Sequence, residues 1–195
     1  KDIALTNAFI SVTFDLLKSI PLIHIKHVSI IAKNLSEKSH DLAITFLENF
    51  DDSLNNIHQP SRIKFIKLVN ELSIVSWPDV ARILETLPAA LKGTSNTTTK
   101  SFLIIGYQIL KNDGRKAFED YNNAISDLIN FNNLDQNWIA KFAIKINKLD
   151  SNSSVTFLQQ IFILLKIYSK KDLAKWLNEG LQYMQNNPKN FDANA

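Results

Sequence analysis

The chain has 195 residues, 45% of them apolar and 21% charged, which is the composition of a folded globular protein. Its 22 basic and 19 acidic residues leave a formal charge of +3, and the most apolar run, 161–168, is too short and too interrupted by Lys166 to span a membrane. Cysteine is absent, which excludes disulfides, thiolate metal sites and cysteine nucleophiles.

One spacing orders the elements along the chain. Leu17, Leu54, Leu91, Leu128 and Leu165 recur every 37 residues. Ile10, Leu47, Leu84, Tyr121 and Leu158 keep the same step, as do Val28, Phe65, Phe102, Ile139 and Trp176. So do Leu35, Leu72, Ile109, Ile146 and Tyr183, and the small or β-branched Ala32, Val69, Gly106, Ala143 and Gly180. Within each unit the apolar positions fall three or four apart in two groups, which predicts two amphipathic helices, A and B, joined by a short polar gap.

The first unit, 2–38, opens at Asp2 and breaks at Pro21, with His24 ahead of helix B. The second, 39–75, opens at Ser39 and breaks at 58–61, where Ser61 caps helix B. The third, 76–112, opens at Ser76 with Pro78 and Asp79 close behind, breaks over 92–99, and caps helix B with Thr98. The fourth, 113–149, opens at Asp113, breaks at Asn132 and Asn133, and uses Asp135. The fifth, 150–186, opens at Asp150 and caps helix B with Asp172. Asn187 and Pro188 then open another helix A, the start of a sixth helix pair at 187–195, whose Phe191 shares the inward phase of Ala43, Val80 and Ala117. Side chains of these types accept hydrogen bonds from the free amides of a first helical turn. Caps that recur at the period of the core make the two signals agree.

The expected fold class is all-α: an α-solenoid of five two-helix repeats in one domain, 1–195. A unit of this size buries its apolar face only against its neighbours. Five layers at about 10 Å each give a stack roughly 50 Å long. Because the chain starts at Lys1 rather than Met, a fragment or processed product of a larger protein is expected. An intracellular location is expected over a secreted one.

The unit resembles the HEAT-like branch of α-solenoids. Its first helix ends in an apolar pair (Leu16 and Leu17, Ala90 and Leu91, Leu164 and Leu165), and its second carries a small residue at mid-length. The tetratricopeptide pattern fits less well, since its landmark residues are missing in order, and no recurring polar pair of the pentatricopeptide or Pumilio kind is present. The resemblance implies a right-handed superhelical stack with the B helices lining the concave side. It implies a scaffold or spacer that binds other proteins.

Chemistry-bearing motifs are sparse. His24 and His27 lie one turn apart without a third ligand in sequence reach. Asp15 and Asp52 share a phase, with Glu48 and Asp51 nearby, but a solvated solenoid face gives paired carboxylates no sheltered cleft. Only four glycines are present, with no phosphate-cradling loop and no nucleophile motif. No catalytic residue, cofactor or metal is therefore expected, and the chain reads as a non-enzyme.

Charge carries more information. Acid concentrates on the A helices (Glu48, Asp51, Asp52 and Glu85 among others) and lysine on the B helices, with Lys64, Lys67, Lys141, Lys145 and Lys148 as the candidate partner-binding face. Such a face suits a protein or an acidic peptide, and alternatively a nucleic-acid backbone. Phe9, Phe46, Phe50, Phe65, Phe102, Phe142 and Phe157 sit on inward phases, which predicts core rather than base-stacking platforms. A second candidate contact surface is apolar. Helix A of the fifth unit carries Phe162, Ile163 and Ile167, where the other units place Asp15, Asp52, Ala89 and Ser126 at the phase of Ile163. They place Ser19, Asn56, Gly93 and Asn130 at the phase of Ile167. A helix apolar on nearly every side is expected to be covered on every side.

Overall fold

The computed structural model describes residues 3–187, and the described residues form helices and short turns with no strand. Nine α-helices follow one another among them: α1 Ile3–Ser19, α2 Leu22–Ser36, α3 His40–Asn55, α4 Arg62–Val75, α5 Val80–Leu91, α6 Asn96–Ser126, α7 Asn133–Asn147, α8 Ser151–Ile167 and α9 Lys170–Asn186. Single 3-10 turns at Gln59–Ser61 and Trp77–Asp79 lead into α4 and α5, each with a proline fixing φ at its start. The expected opening at Asp2 and the segment 188–195, including Pro188 and Phe191, lie outside the described residues.

Several helix starts differ from the sequence reading, each for a local reason; Ser61 precedes α4 but makes no capping bond, its hydroxyl going to Asn96 instead. Asp113 does not cap a new helix. It lies within α6, and the chain reverses at Gly114, whose φ of 80° and ψ of −166° divide α6 into helical arms 96–113 and 115–126. Only glycine takes that backbone without strain, so the chain turns at Gly114, inside the polar run 111–116. The caps of the last three B-type helices stand three residues earlier than expected. Ser95, Asn132 and Ser169, themselves 37 apart, accept from the amides of Thr98, Asp135 and Asp172 at 3.2, 3.0 and 3.2 Å. Thr98, Asp135 and Asp172 hold the third helical position, where a polar side chain reaches back to the cap. Ser169 accordingly donates to Asp172 at 2.6 Å, and the Ser95 and Thr98 hydroxyls lie 2.9 Å apart. Ser39 and Asp150 do cap α3 and α8.

The helices pack in two successions. α1, α3, α5, α6 and α8 each touch the next, and so do α2, α4, α6, α7 and α9, with α6 belonging to both. Hydrogen bonds between neighbouring units repeat at the sequence period. The Asn34 amide donates to Ser73 at 3.2 Å and the Asn147 amide to Gln108 at 2.6 Å, and each residue of one pair lies two 37-residue steps from its counterpart. Ser61 donates to Asn96 at 2.8 Å, Thr98 to Asn137 at 2.6 Å, Asn122 to Thr86 at 3.2 Å, and Ser53 to the Leu84 carbonyl at 2.8 Å.

The 37-residue rows are core throughout the interior, and some of their outermost members leave the core. Leu54, Leu91 and Leu128 are fully buried, whereas Leu17 is 46% exposed and Leu165 half-buried. Val28, Phe65, Phe102 and Ile139 are buried and Trp176 is 68% exposed. The pattern has a direction. A-helix rows face the preceding unit, as when the Tyr121 hydroxyl donates to the Phe102 carbonyl at 2.5 Å and its ring covers Gly106. α1 has no described unit before it and α9 none after it, so each exposes its half of the row.

Candidate functional site

Of the five lysines of the candidate face, Lys64 and Lys67 stand on α4, Lys141 and Lys145 on α7 and Lys148 just past the end of α7 as its C-cap, and α6 packs against both helices. Lys67, Lys141, Lys145 and Lys148 are exposed and Lys64 is half-buried. Lys145 and Lys148 are brought together: with Asn178, Gln182 and Gln185 of α9 they line a surface depression of about 620 Å³. The Lys145 ammonium also lies 5.4 Å from the centroid of the Phe142 ring, a cation–π distance that holds it against α7. Lys64 and Lys67 do not line that depression. None of the five pairs with a carboxylate among the described residues.

The acidic succession is different, because Arg82, Arg115 and Lys116 are paired locally. Asp52 and Glu85 line a groove of about 500 Å³ between α3 and α5 together with Asn49, Asn56 and Arg82. Arg115 bonds Glu119 at 2.8 Å and Asp79 at 3.0 Å, and Lys116 bonds Asp120 at 3.2 Å. Hydrogen bonding to Glu119, and then the charge of Asp79, hold the Arg115 guanidinium above its usual pKa. Asp79 is almost fully buried and also receives the Ser76 hydroxyl and an Arg82 amine at 3.4 Å. Ser76 thus serves a buried carboxylate rather than a helix amide. Asp79, Arg115 and Glu119 link the third and fourth units, a junction that sequence reading missed because each residue taken singly looks like surface charge. A further pair of this kind joins Lys170 to Asp135.

His24 and His27 stack with ring centroids 6.1 Å apart. His24 is partly buried, and desolvation, then His27 and Lys67, lower its pKa from the usual 6.5. Its Nδ1 is buried without a hydrogen-bond partner among the described residues. His58 lies 2.6 Å from the Thr94 carbonyl through Nε2, so it ties two units together through the backbone. Among the described residues no three His, Asp or Glu side chains converge as metal ligands, and no helix is long and apolar enough to cross a membrane.

The apolar candidate divides. Phe162 turns inward, its ring 4.8 Å from that of Phe131, while Ile163 is 54% and Ile167 65% exposed. Beside them, α8 and α9 enclose an apolar groove of about 630 Å³ lined by Phe157, Leu164, Trp176, Leu177 and Met184 among others. At the opposite end α1 exposes Ile3, Ile10, Phe14 and Leu17, a stripe at helical spacing. Sequence periodicity reveals this stripe only as part of the core rows, since it does not say which unit is terminal. With this geometry in hand, comparison with known protein families, with curated proteins and with solved structures gives no match to the chain.

Proposed function

We propose that the chain is an α-solenoid of five two-helix repeats, similar in plan to HEAT-like arrays, and that it works as a non-catalytic scaffold or spacer for protein partners. Supporting the repeat plan are the two helix successions, the cap row Ser95, Asn132 and Ser169, and the paired bonds Asn34 to Ser73 and Asn147 to Gln108. The binding reading is carried by one observation: Lys64 and Lys67 on α4, Lys141 and Lys145 on α7 and Lys148 at the end of α7 have no carboxylate partner among the described residues, whereas Arg82, Arg115 and Lys116 in the acidic succession are all paired. Unpaired cations spaced along stacked helices suit an acidic peptide lying across the layers. The phenylalanines that would stack bases, Phe46, Phe50, Phe65, Phe102 and Phe118, are buried, which favours a peptide over base readout.

The test is fluorescence titration with a labelled polyglutamate peptide, alongside duplex DNA over a salt series. Binding of the peptide and a loss of about tenfold or more in the double variant Lys67→Glu, Lys141→Glu are expected. The melting temperature of that variant should stay nearly unchanged, because exposed charges contribute little to stability. Binding to DNA with a steep salt dependence, and none to the peptide, would replace this reading with backbone contact to nucleic acid. Binding to neither would remove the basic face as a site.

A further inference from the structure

The outermost described helices, α1 on one side and α8 with α9 on the other, carry complementary halves of a junction that recurs between them. In the interior, α3 and α5 border each other through Asp52 and Asn56 on one side and Arg82, Glu85 and Pro88 on the other. Counted by the 37-residue period, the residues in those places at the ends are Ile163 and Ile167 on α8, and Ala8, Ser11 and Phe14 on α1. A polar border inside therefore becomes apolar on both outer sides, with Phe14 65% exposed against Ile163 at 54% and Ile167 at 65%. The second border of the junction matches as well. Inside, Gly106 of α6 receives Tyr121, and the equivalents at the ends are Gly180 on α9 and Ile10 on α1. Nothing lies within 4 Å of a Cβ placed on Gly180, so the seat that Tyr121 fills in the interior is open there.

We propose that a second copy of this chain docks here, head to tail, its α1 lying in the α8–α9 groove so that Ile10 and Phe14 cover Gly180, Trp176, Ile163 and Ile167. This docking rests on the five-repeat reading, since it continues the stack in register. A second copy satisfies both ends with one contact, and α8 and α1 carry apolar residues at the places where the interior is polar. A contact between different surfaces of identical chains repeats, so the product is an open stack or a ring rather than a closed symmetric dimer.

Sedimentation velocity of the full chain tests this from low to several hundred micromolar. Mass should rise with concentration above the 22.2 kDa of the monomer. Phe14→Asp disables the head and Trp176→Glu the tail, so each variant alone should remain monomeric. An equimolar mixture should form a dimer and nothing larger, because one intact head meets one intact tail. Ile163→Asp with Ile167→Lys gives a second tail variant at exposed positions, should Trp176→Glu melt abnormally. A wild-type chain that stays monomeric throughout would overturn the proposal. So would association that survives in Phe14→Asp alone, which points to a tail-to-tail dimer. Association that appears only after removal of 188–195 would overturn it too, assigning the groove to that segment. Intact polyglutamate binding by a strictly monomeric chain would show that self-docking alone had failed, with the scaffold reading still standing.

Discussion

Leu54 and Leu17 stand at the same place in two successive units, yet Leu54 is fully buried and Leu17 is 46% exposed. The contrast extends to whole faces. Leu47, Leu84 and Leu158 are core where Ile10 meets solvent, and Phe65, Phe102 and Ile139 are core where Trp176 does. Identical chemistry thus has a different energetic meaning in the interior and at the ends. On the proposed five-repeat reading, what decides it is whether a neighbouring unit is present to exclude water.

Substitution at equivalent positions should show the largest contrast. Leu91→Ala removes a fully buried side chain and should cost about 2–5 kcal/mol of unfolding free energy, read by urea denaturation. Leu17→Ala should cost less than about 1 kcal/mol. Equal losses would mean that interior and end units are not distinguished by packing.

The glycine row should give opposite signs. A Cβ on Gly106 would meet Tyr121 Cε1 at 2.8 Å, so Gly106→Ala should destabilise by about 1–3 kcal/mol through overpacking. Gly180 lies in α9 with nothing within 4 Å of that position, so Gly180→Ala should stabilise by about 0.5–1 kcal/mol through helix propensity. Thermal melts of the two variants should move in opposite directions.

The smallest expected effect is a pH dependence at the first B-type helix, near the α1 end. Burial, His27 and Lys67 lower the His24 pKa below 6.5, so the folded state binds fewer protons than the unfolded chain. Stability from this site is therefore present above pH 6.5 and declines as pH falls from there through the folded pKa. His24→Asn should flatten the melting temperature in that window, and an unchanged slope would show that His24 does not report on folding.

The period and the apolar phases of the interior units were readable from sequence because hydrophobic spacing records which side of a helix is covered. Leu54, Leu91 and Leu128 are buried for that reason. The same rows could not show that Leu17 and Trp176 are exposed, since periodicity is blind to which unit ends the series. The cap row was misplaced by three residues because a capping pair is chemically near-symmetric: Ser169 and Asp172 both carry acceptors at suitable spacing, and only backbone geometry shows which stands outside the helix. The boundary inside α6 was legible in the polar run 111–116 and was placed at Asp113, one residue from the turn at Gly114; only the capping role given to Asp113 was wrong, because the glycine makes the turn by itself. The candidate lysines were visible as a charge bias. Which cations are free was not, because the partners of Arg115 and Lys170 come from other units.

Native-state hydrogen exchange, at a concentration where the chain is monomeric, tests the stacked arrangement most directly. Protection should be greatest in α4, the first arm of α6 and α7, and should fall stepwise towards α1 and α9, since units held only by nearest neighbours open from the ends. Raising the concentration should then add protection to α1 and α9 first. Protection as high in α1 and α9 as in α4 under monomeric conditions would contradict a one-dimensional stack and point to a single cooperative globule.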